Sequence, residues 1–190
     1  MRKFLVLLAA IFAFSALLLA QQTTPDVQTV EMPKTEVFGG YSYMHSNLNN
    51  LGLGTAGIHG ESVQATRFIW GDLGATADVS YNSNTNVAQS GENLYRWTYM
   101  FGPTYALRTE SSFVPFAHVL FGVDHERLSI PNFNHGINGD TYYKSLAAAI
   151  GAGVDVRISD HIAARLAQFD FIHANGGMTF RYTGGLVVKF

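Results

Sequence analysis

Between positions 35 and 190 the chain repeatedly alternates two kinds of side chain, and a period of 2 is what strands show when their two faces meet different surroundings. The clearest stretch comes last. Phe180, Tyr182, Gly184, Leu186, Val188 and Phe190 hold the even positions, while Thr179, Arg181, Thr183, Gly185 and Lys189 hold the odd ones, with Val187 the exception. Tyr95, Trp97, Tyr99, Phe101, Pro103, Tyr105 and Leu107 likewise oppose Arg96, Thr98, Met100, Gly102, Thr104 and Ala106. A third stretch sets Leu146, Ala148, Ile150, Ala152, Val154 and Val156 against Ser145, Ala147, Ala149, Gly151, Gly153, Asp155 and Arg157.

The alternation predicts eight strands, at 35–45, 61–68, 73–81, 94–107, 113–127, 141–157, 162–173 and 177–190. The connections between them alternate in length. Short ones fall at 69–72, 108–112 and 158–161, and long polar ones rich in Asn and Gly at 46–60, 82–93 and 128–140; the last, 174–176, is a short exception. Short turns at one end and long loops at the other describe an all-β, eight-stranded antiparallel up-and-down transmembrane β-barrel.

The amino terminus fits export. Arg2 and Lys3 precede an apolar run over 4–19 broken only by Ser15, then Ala20 and the polar pair Gln21 and Gln22. Residues 1–20 therefore read as a cleaved signal peptide. Residues 21–34, polar and carrying Pro25 and Pro33, read as a periplasmic tether, and 35–190 as the barrel. Loss of Arg2 and Lys3 with the signal takes the 12 basic residues down to 10 against 14 acidic ones, a formal charge of −4, so nucleic acid is not an expected partner. The absence of cysteine excludes a disulfide scaffold, a thiolate zinc site, a thiol nucleophile and a lipidated amino-terminal cysteine. Charged residues make up only 14% of the chain, against roughly 25% in soluble domains, which suggests a surface that does not face water.

Volume decides which face points inward. An eight-stranded barrel is just wide enough inside for side chains, so the faces carrying Gly102, Gly122, Gly151, Gly153 and Gly185 belong within. Those faces also carry the charges, giving an expected lumenal network of Asp78, Arg96, His118, Asp124, Asp155, Arg157, Arg165, Asp170, Arg181 and Lys189. The bulky apolar faces then point to lipid. Tyr81, Tyr95, Trp97, Phe180 and Tyr182 would form an aromatic girdle near the loops, and Trp70, Tyr105 and Phe190 one near the turns. In the seventh strand Arg165 and Asp170 are an odd number of residues apart and cannot both point inward along a regular strand. Either a bulge near Ala167 and Gln168 resets the phase, which Phe169 and Phe171 facing lipid would favour, or Arg165 snorkels to the interface.

The segments VFGGYSY (37–43), LGATADVSY (73–81), YMFGPTYAL (99–107), VPFAHVLFG (114–122) and GAGVDVRISDHIAARLAQFDFI (151–172), with the final strand ending at Phe190, resemble the small outer-membrane β-barrel family related to the transmembrane domain of outer membrane protein A. The resemblance implies residence in the outer membrane of a Gram-negative-type bacterium. It also implies insertion by the barrel-assembly machinery, with Phe190 as the assembly signal. No peptidoglycan-binding domain follows Phe190, so wall anchoring by that route is not expected.

Catalytic and metal motifs are weak. His118 falls on an inward phase as a hydrogen-bonding residue, while His45, His59, His125, His135 and His173 fall in or near loops without the tight spacing of a metal site. Adjacent His45 and Ser46 point to opposite faces of a strand and cannot readily form a nucleophile and base. Asp124, Glu126 and Asp140 near the 128–140 loop are more economically read as solvated carboxylates than as a cation site. The expectation is a non-enzymatic outer-membrane barrel with a narrow or closed lumen and no catalytic, cofactor or metal residues. Its partners would be the lipid bilayer and, through loops 46–60, 82–93 and 128–140, an extracellular partner; Leu51, Leu53, Ile58, Ile130 and Phe133 supply apolar side chains there. Two alternatives stand beside it: a lipid A-modifying enzyme using Ser46, and a secreted lipocalin-like barrel with the faces reversed.

Overall fold

The computed structural model describes residues 34–47, 54–86, 91–109, 111–134 and 137–190. The expected signal peptide, the tether apart from Lys34, Leu51, Leu53 and His135 lie outside the described residues. The strands are β1 (Thr35–Asn47), β2 (Thr55–Trp70), β3 (Leu73–Asn84), β4 (Asn93–Ala106), β5 (Phe113–Asn134), β6 (Ile137–Arg157), β7 (Ile162–Ala174) and β8 (Gly177–Lys189). Each pairs antiparallel with its neighbours in sequence order, and β8 pairs back onto β1 from Glu36↔Lys189 to Ser46↔Thr179, so the barrel is closed. Closure leaves no free edge around the wall. The seam ends in two main-chain hydrogen bonds between Thr35 and Phe190, of 3.2 and 2.8 Å.

Several strands run further than their sequence suggests. Positions 55–60, expected in a loop, belong to β2 and pair with β1 as far as Asn47↔Thr55. Residues 82–84 extend β3, and most of 128–140 forms a hairpin in which β5 and β6 continue through Ser129↔Asp140 to Asn134↔Ile137. Asn and Gly lower strand propensity, but a partner already in register supplies main-chain bonds over 55–60 and 82–84 and along the hairpin as far as Ile130↔Gly139, beyond which the register is irregular up to Asn134↔Ile137, and that gain prevails. The hairpin outruns its neighbours: β4 leaves β5 at Asn93↔Ser129, and β7 leaves β6 at Ala147↔Ala174. The β7–β8 turn beside it is two residues long, with Asn175 and Gly176 both at positive φ.

Bulky apolar side chains face outward and charged ones inward. Phe101, Phe121, Ile150 and Leu146 are 60–83% exposed, whereas Arg181, Asp78 and Asp170 are 0–1% exposed. This inverts a water-soluble protein and rules out the lipocalin-like reading, which needs the opposite faces. The interior is nonetheless not only small and charged. Phe38, Met44, Ile58, Phe68, Leu94, Phe116, Leu120, Ile172 and Val187 also point in. Ile58, expected within the 46–60 loop, is a fully buried part of the apolar layer near the loop end with Met44, Leu94, Leu120 and Ile172. Glycines make the room: Phe116 stands opposite Gly153, and a methyl group added there would lie 2.6 Å from the Phe116 ring.

The phase problem in β7 is resolved by a bulge. Val154 pairs with Ala167 but Asp155 with Arg165, leaving Leu166 as the extra residue, and both Arg165 and Asp170 are buried inside. The Tyr182 hydroxyl donates to the Leu166 carbonyl at 3.0 Å on the outer surface.

Candidate functional site

The inward polar residues of all eight strands meet along the barrel axis. At the centre Arg181, on β8, donates to Asp78 of β3 through Nη1 and Nη2 (2.8 and 3.0 Å) and to Asp170 of β7 through Nε (2.8 Å). The other Asp170 oxygen lies 2.7 Å from His118 Nε2. Gln168 Nε2 also donates to Asp170, at 2.9 Å, and Gln64 Nε2 to Asp78, at 2.7 Å. Both carboxylates of the centre thus accept from an arginine and from an amide.

Toward the turns Arg165 forms a bidentate pair with Asp155 (2.7 and 3.0 Å) and donates through Nη1 to Gln64 and Gln168. Its guanidinium lies between the rings of Phe38 and Phe116, at 4.5 and 4.2 Å. This gives the cation a π face on either side as well as a carboxylate in its plane. At the turn end Lys189 meets Glu36 across the β1–β8 seam at 3.3 Å. Toward the loops Arg96 Nε donates to Asp124 at 2.8 Å, Nη1 to Ser46 and Thr179 at 2.9 Å each, and Glu126 lies 3.4 Å away. An interior cavity on the turn side of this network holds only about 10 Å³, room for at most one water. Charged groups in so narrow a space must each be partnered.

The placements sort the sequence candidates. Asp78, Arg96, His118, Asp124, Asp155, Arg165, Asp170, Arg181 and Lys189 all join these contacts. Arg157 does not: it sits at the end of β6 and donates through Nη2 to the Thr109 carbonyl at 2.9 Å in the neighbouring turn. Alternation fixes the face, not the depth. Glu36, Gln64, Glu126 and Gln168 were not foreseen. The inward polar run Ser62, Gln64 and Thr66 was the available signal on β2, but the partners across the bore follow only from register. Ser46 is buried against Arg96, while His45 faces outward, so the two share no site. Asp124 and Glu126 point inward to Arg96, and Asp140 lies outside with Arg127, 2.8 Å away.

On the outer surface Trp70 (74% exposed) and Tyr105 (50%) stand near the turn end, with Phe190 also exposed. Tyr81 and Trp97 pack with their ring centroids 4.6 Å apart, tilted by 38°, near the loop end. Phe180 and Tyr182 pack on Phe169 at 5.7 and 5.4 Å. Beside Trp97 an outward groove of about 710 Å³ is lined by Tyr81, Tyr95, Trp97, His125, Arg127, Tyr142 and Lys144 among others. Hydrogen bonds from Ser129 and Arg127 hold the Asp140 carboxyl below the ordinary carboxylate range.

Neither protein-family models nor curated proteins match this sequence. Solved structures do match in fold. Neisserial surface protein A is 17% identical with a TM-score of 0.63, the match covering 82% of this chain and 97% of that one. Ail, the attachment invasion locus protein of Yersinia pestis, is 12% identical with a TM-score of 0.61 over 84% and 99% of the two chains. OprG of Pseudomonas aeruginosa is 11% identical with a TM-score of 0.54 over 87% and 99%. The closed eight-stranded wall, the apolar exterior and the paired charges within agree with that likeness: this chain is a transmembrane β-barrel with the fold of the small outer-membrane proteins.

Proposed function

We propose that this barrel works in the outer membrane without catalysing a reaction, as a sealed scaffold that presents the β5–β6 hairpin and neighbouring loops for recognition. The observation that carries the reading is the hairpin, whose strands pair beyond the end of β4 at Ile130↔Gly139 and again at Asn134↔Ile137, while the bore beneath it is filled by partnered charges. A projecting hairpin on a closed scaffold suits contact rather than conduction. The separation of His45 from Ser46 speaks against acyl transfer at that pair. Insertion by the barrel-assembly machinery, with Phe190 as its signal, is part of the same proposal; the exposed ring of Phe190 beside the closing seam suits it.

The test combines three measurements. Planar-bilayer recordings should give no large stable conductance, and one would refute the sealed scaffold. Lipid A from cells with and without the protein should be identical; a modification lost with Ser46→Ala would establish the enzymatic alternative instead. A chain with residues 131–138 replaced by a tight turn should still fold, scored by heat-dependent electrophoretic mobility, but fail to restore surface-dependent phenotypes of a deletion strain.

A further inference from the structure

The outward groove on β3 to β6 lies where the apolar belt ends. Below it the outer face carries Tyr99, Phe101, Phe121, Leu146 and Ile150, all exposed. In the next row toward the hairpin, Trp97, His125 and Lys144 stand side by side in register, and beyond them Tyr95, Arg127 and Tyr142 do the same. Arg127 is held in place by Asp140 and lies over the rings of Tyr95 and Tyr142, at 5.6 and 5.8 Å. Lys144 is exposed, and among the described residues no carboxylate stands within ion-pair distance of it. The opposite side of the rim differs in sign: on β2 the corresponding outward residues are His59 and Glu61. The cations are thus gathered on one side of the barrel, in an aromatic-walled groove open to the belt below.

From this geometry we infer that the groove is a binding site for an anionic membrane lipid of the leaflet at the hairpin end. The phosphate of its headgroup sits between Lys144 and Arg127, and its acyl chains lie down over Phe121 and Leu146. Charge complementarity selects the headgroup, and continuity with the belt selects a lipid over a soluble anion, because only a lipid covers both surfaces at once. Aromatic walls suit this depth, where one end of a ring is apolar and the other meets polar headgroups. The carboxylates at the groove do not cancel the site: Asp140 engages Arg127, and Glu126, which also lines the groove, is buried toward Arg96 at 3.4 Å, which leaves Lys144 unneutralised. The inference rests on the membrane-spanning fold and is independent of the proposed recognition role.

The chain has two tryptophans, so Trp70→Phe leaves Trp97 as a reporter within the groove. That variant is placed in phosphatidylcholine bilayers doped with acyl-brominated phosphatidylglycerol or, at equal fraction, acyl-brominated phosphatidylcholine. Trp97 should be quenched preferentially by the anionic lipid, with an enrichment of about fivefold for one engaged cation. Lys144→Gln should reduce quenching to the phosphatidylcholine level, and Lys144→Arg should retain the preference. In the converse variant, Trp97→Phe, the remaining Trp70 at the turn end should show no preference. Folding of each variant is read from heat-dependent mobility, and exposed Lys144 gives no reason for loss of fold. Equal quenching by the two lipids would overturn the inference, as would a preference unchanged in Lys144→Gln. Abolition of the preference by millimolar inorganic phosphate, with the ionic strength held constant, would reassign the groove to a soluble anion.

Discussion

Arg181 and Asp78, 103 residues apart in sequence, meet across the lumen through two hydrogen bonds of 2.8 and 3.0 Å with neither side chain exposed to solvent. Replacing Arg181 by Met strands two carboxylates, Asp78 and Asp170, in the interior. Removing one side of such a pair costs about 3–5 kcal/mol. Urea titration of the barrel in lipid vesicles should show a loss of that size for Arg181→Met. The triple variant Arg181→Met with Asp78→Asn and Asp170→Asn should recover most of it, because no uncompensated charge remains.

Two glycines on the wall should answer differently to the same change. A methyl group at Gly151 would lie 1.9 Å from Asp170 Oδ1 and 2.6 Å from His118 Nε2, so Gly151→Ala forces the central pair apart. Gly39 has no atom within 4 Å of that position. Overpacking costs roughly 1–3 kcal/mol. The same titration should register that loss for Gly151→Ala and essentially none for Gly39→Ala.

Val119 and Ile150 are cross-strand partners in the apolar belt, 38% and 62% exposed to the surroundings. On a soluble protein a charge at such positions would be nearly harmless. Here the surroundings are hydrocarbon, and an arginine near the middle of the bilayer costs about 2–4 kcal/mol. Val119→Arg should therefore lose that much stability in vesicles, and Thr55→Arg, at the loop end of β2, should lose far less.

The hairpin link between Arg127 and Asp140 has a defined pH range. Its carboxyl is held below the ordinary range by Ser129 first and then by Arg127. A depressed folded value means that the contribution is complete above the unfolded carboxyl value and is lost as pH falls through the folded one. Protection of the amides at 139–142, relative to the unstructured chain at the same pH, should be full at neutral pH, begin to fall as pH drops through the ordinary carboxylate range, and be lost below it. Asp140→Asn should lower it at neutral pH.

Much of this architecture was legible in the alternation of side chains. Parity grouped Arg96, Asp155 and Arg181 with the glycine-bearing faces that volume placed inside, and the odd spacing of Arg165 and Asp170 required either a bulge near Ala167 and Gln168 or a snorkelling Arg165, of which the bulge is found, one position earlier at Leu166. Parity carries no depth, which is why Arg157 was grouped with the lumenal charges although it lies at a turn. Nor does it carry size. The inward Phe38 and Phe116 enclose Arg165, an arrangement visible only once register brings three distant strands together. The strand ends at 55–60 and 128–134 were obscured by Asn and Gly, whose local preference for turns is overridden by pairing along a wall already in place.

The orientation of the two faces is tested most directly by methyl NMR of the barrel in bilayer nanodiscs containing a lipid spin-labelled deep in its acyl chain. Val119, Ile150 and Leu186 should broaden strongly, while Leu120, Ile172 and Val187, one of them the immediate chain neighbour of Val119 and another that of Leu186, should remain sharp. Broadening of Leu120, Ile172 and Val187 with protection of Val119, Ile150 and Leu186 would mean that the barrel is inside out relative to the account given above.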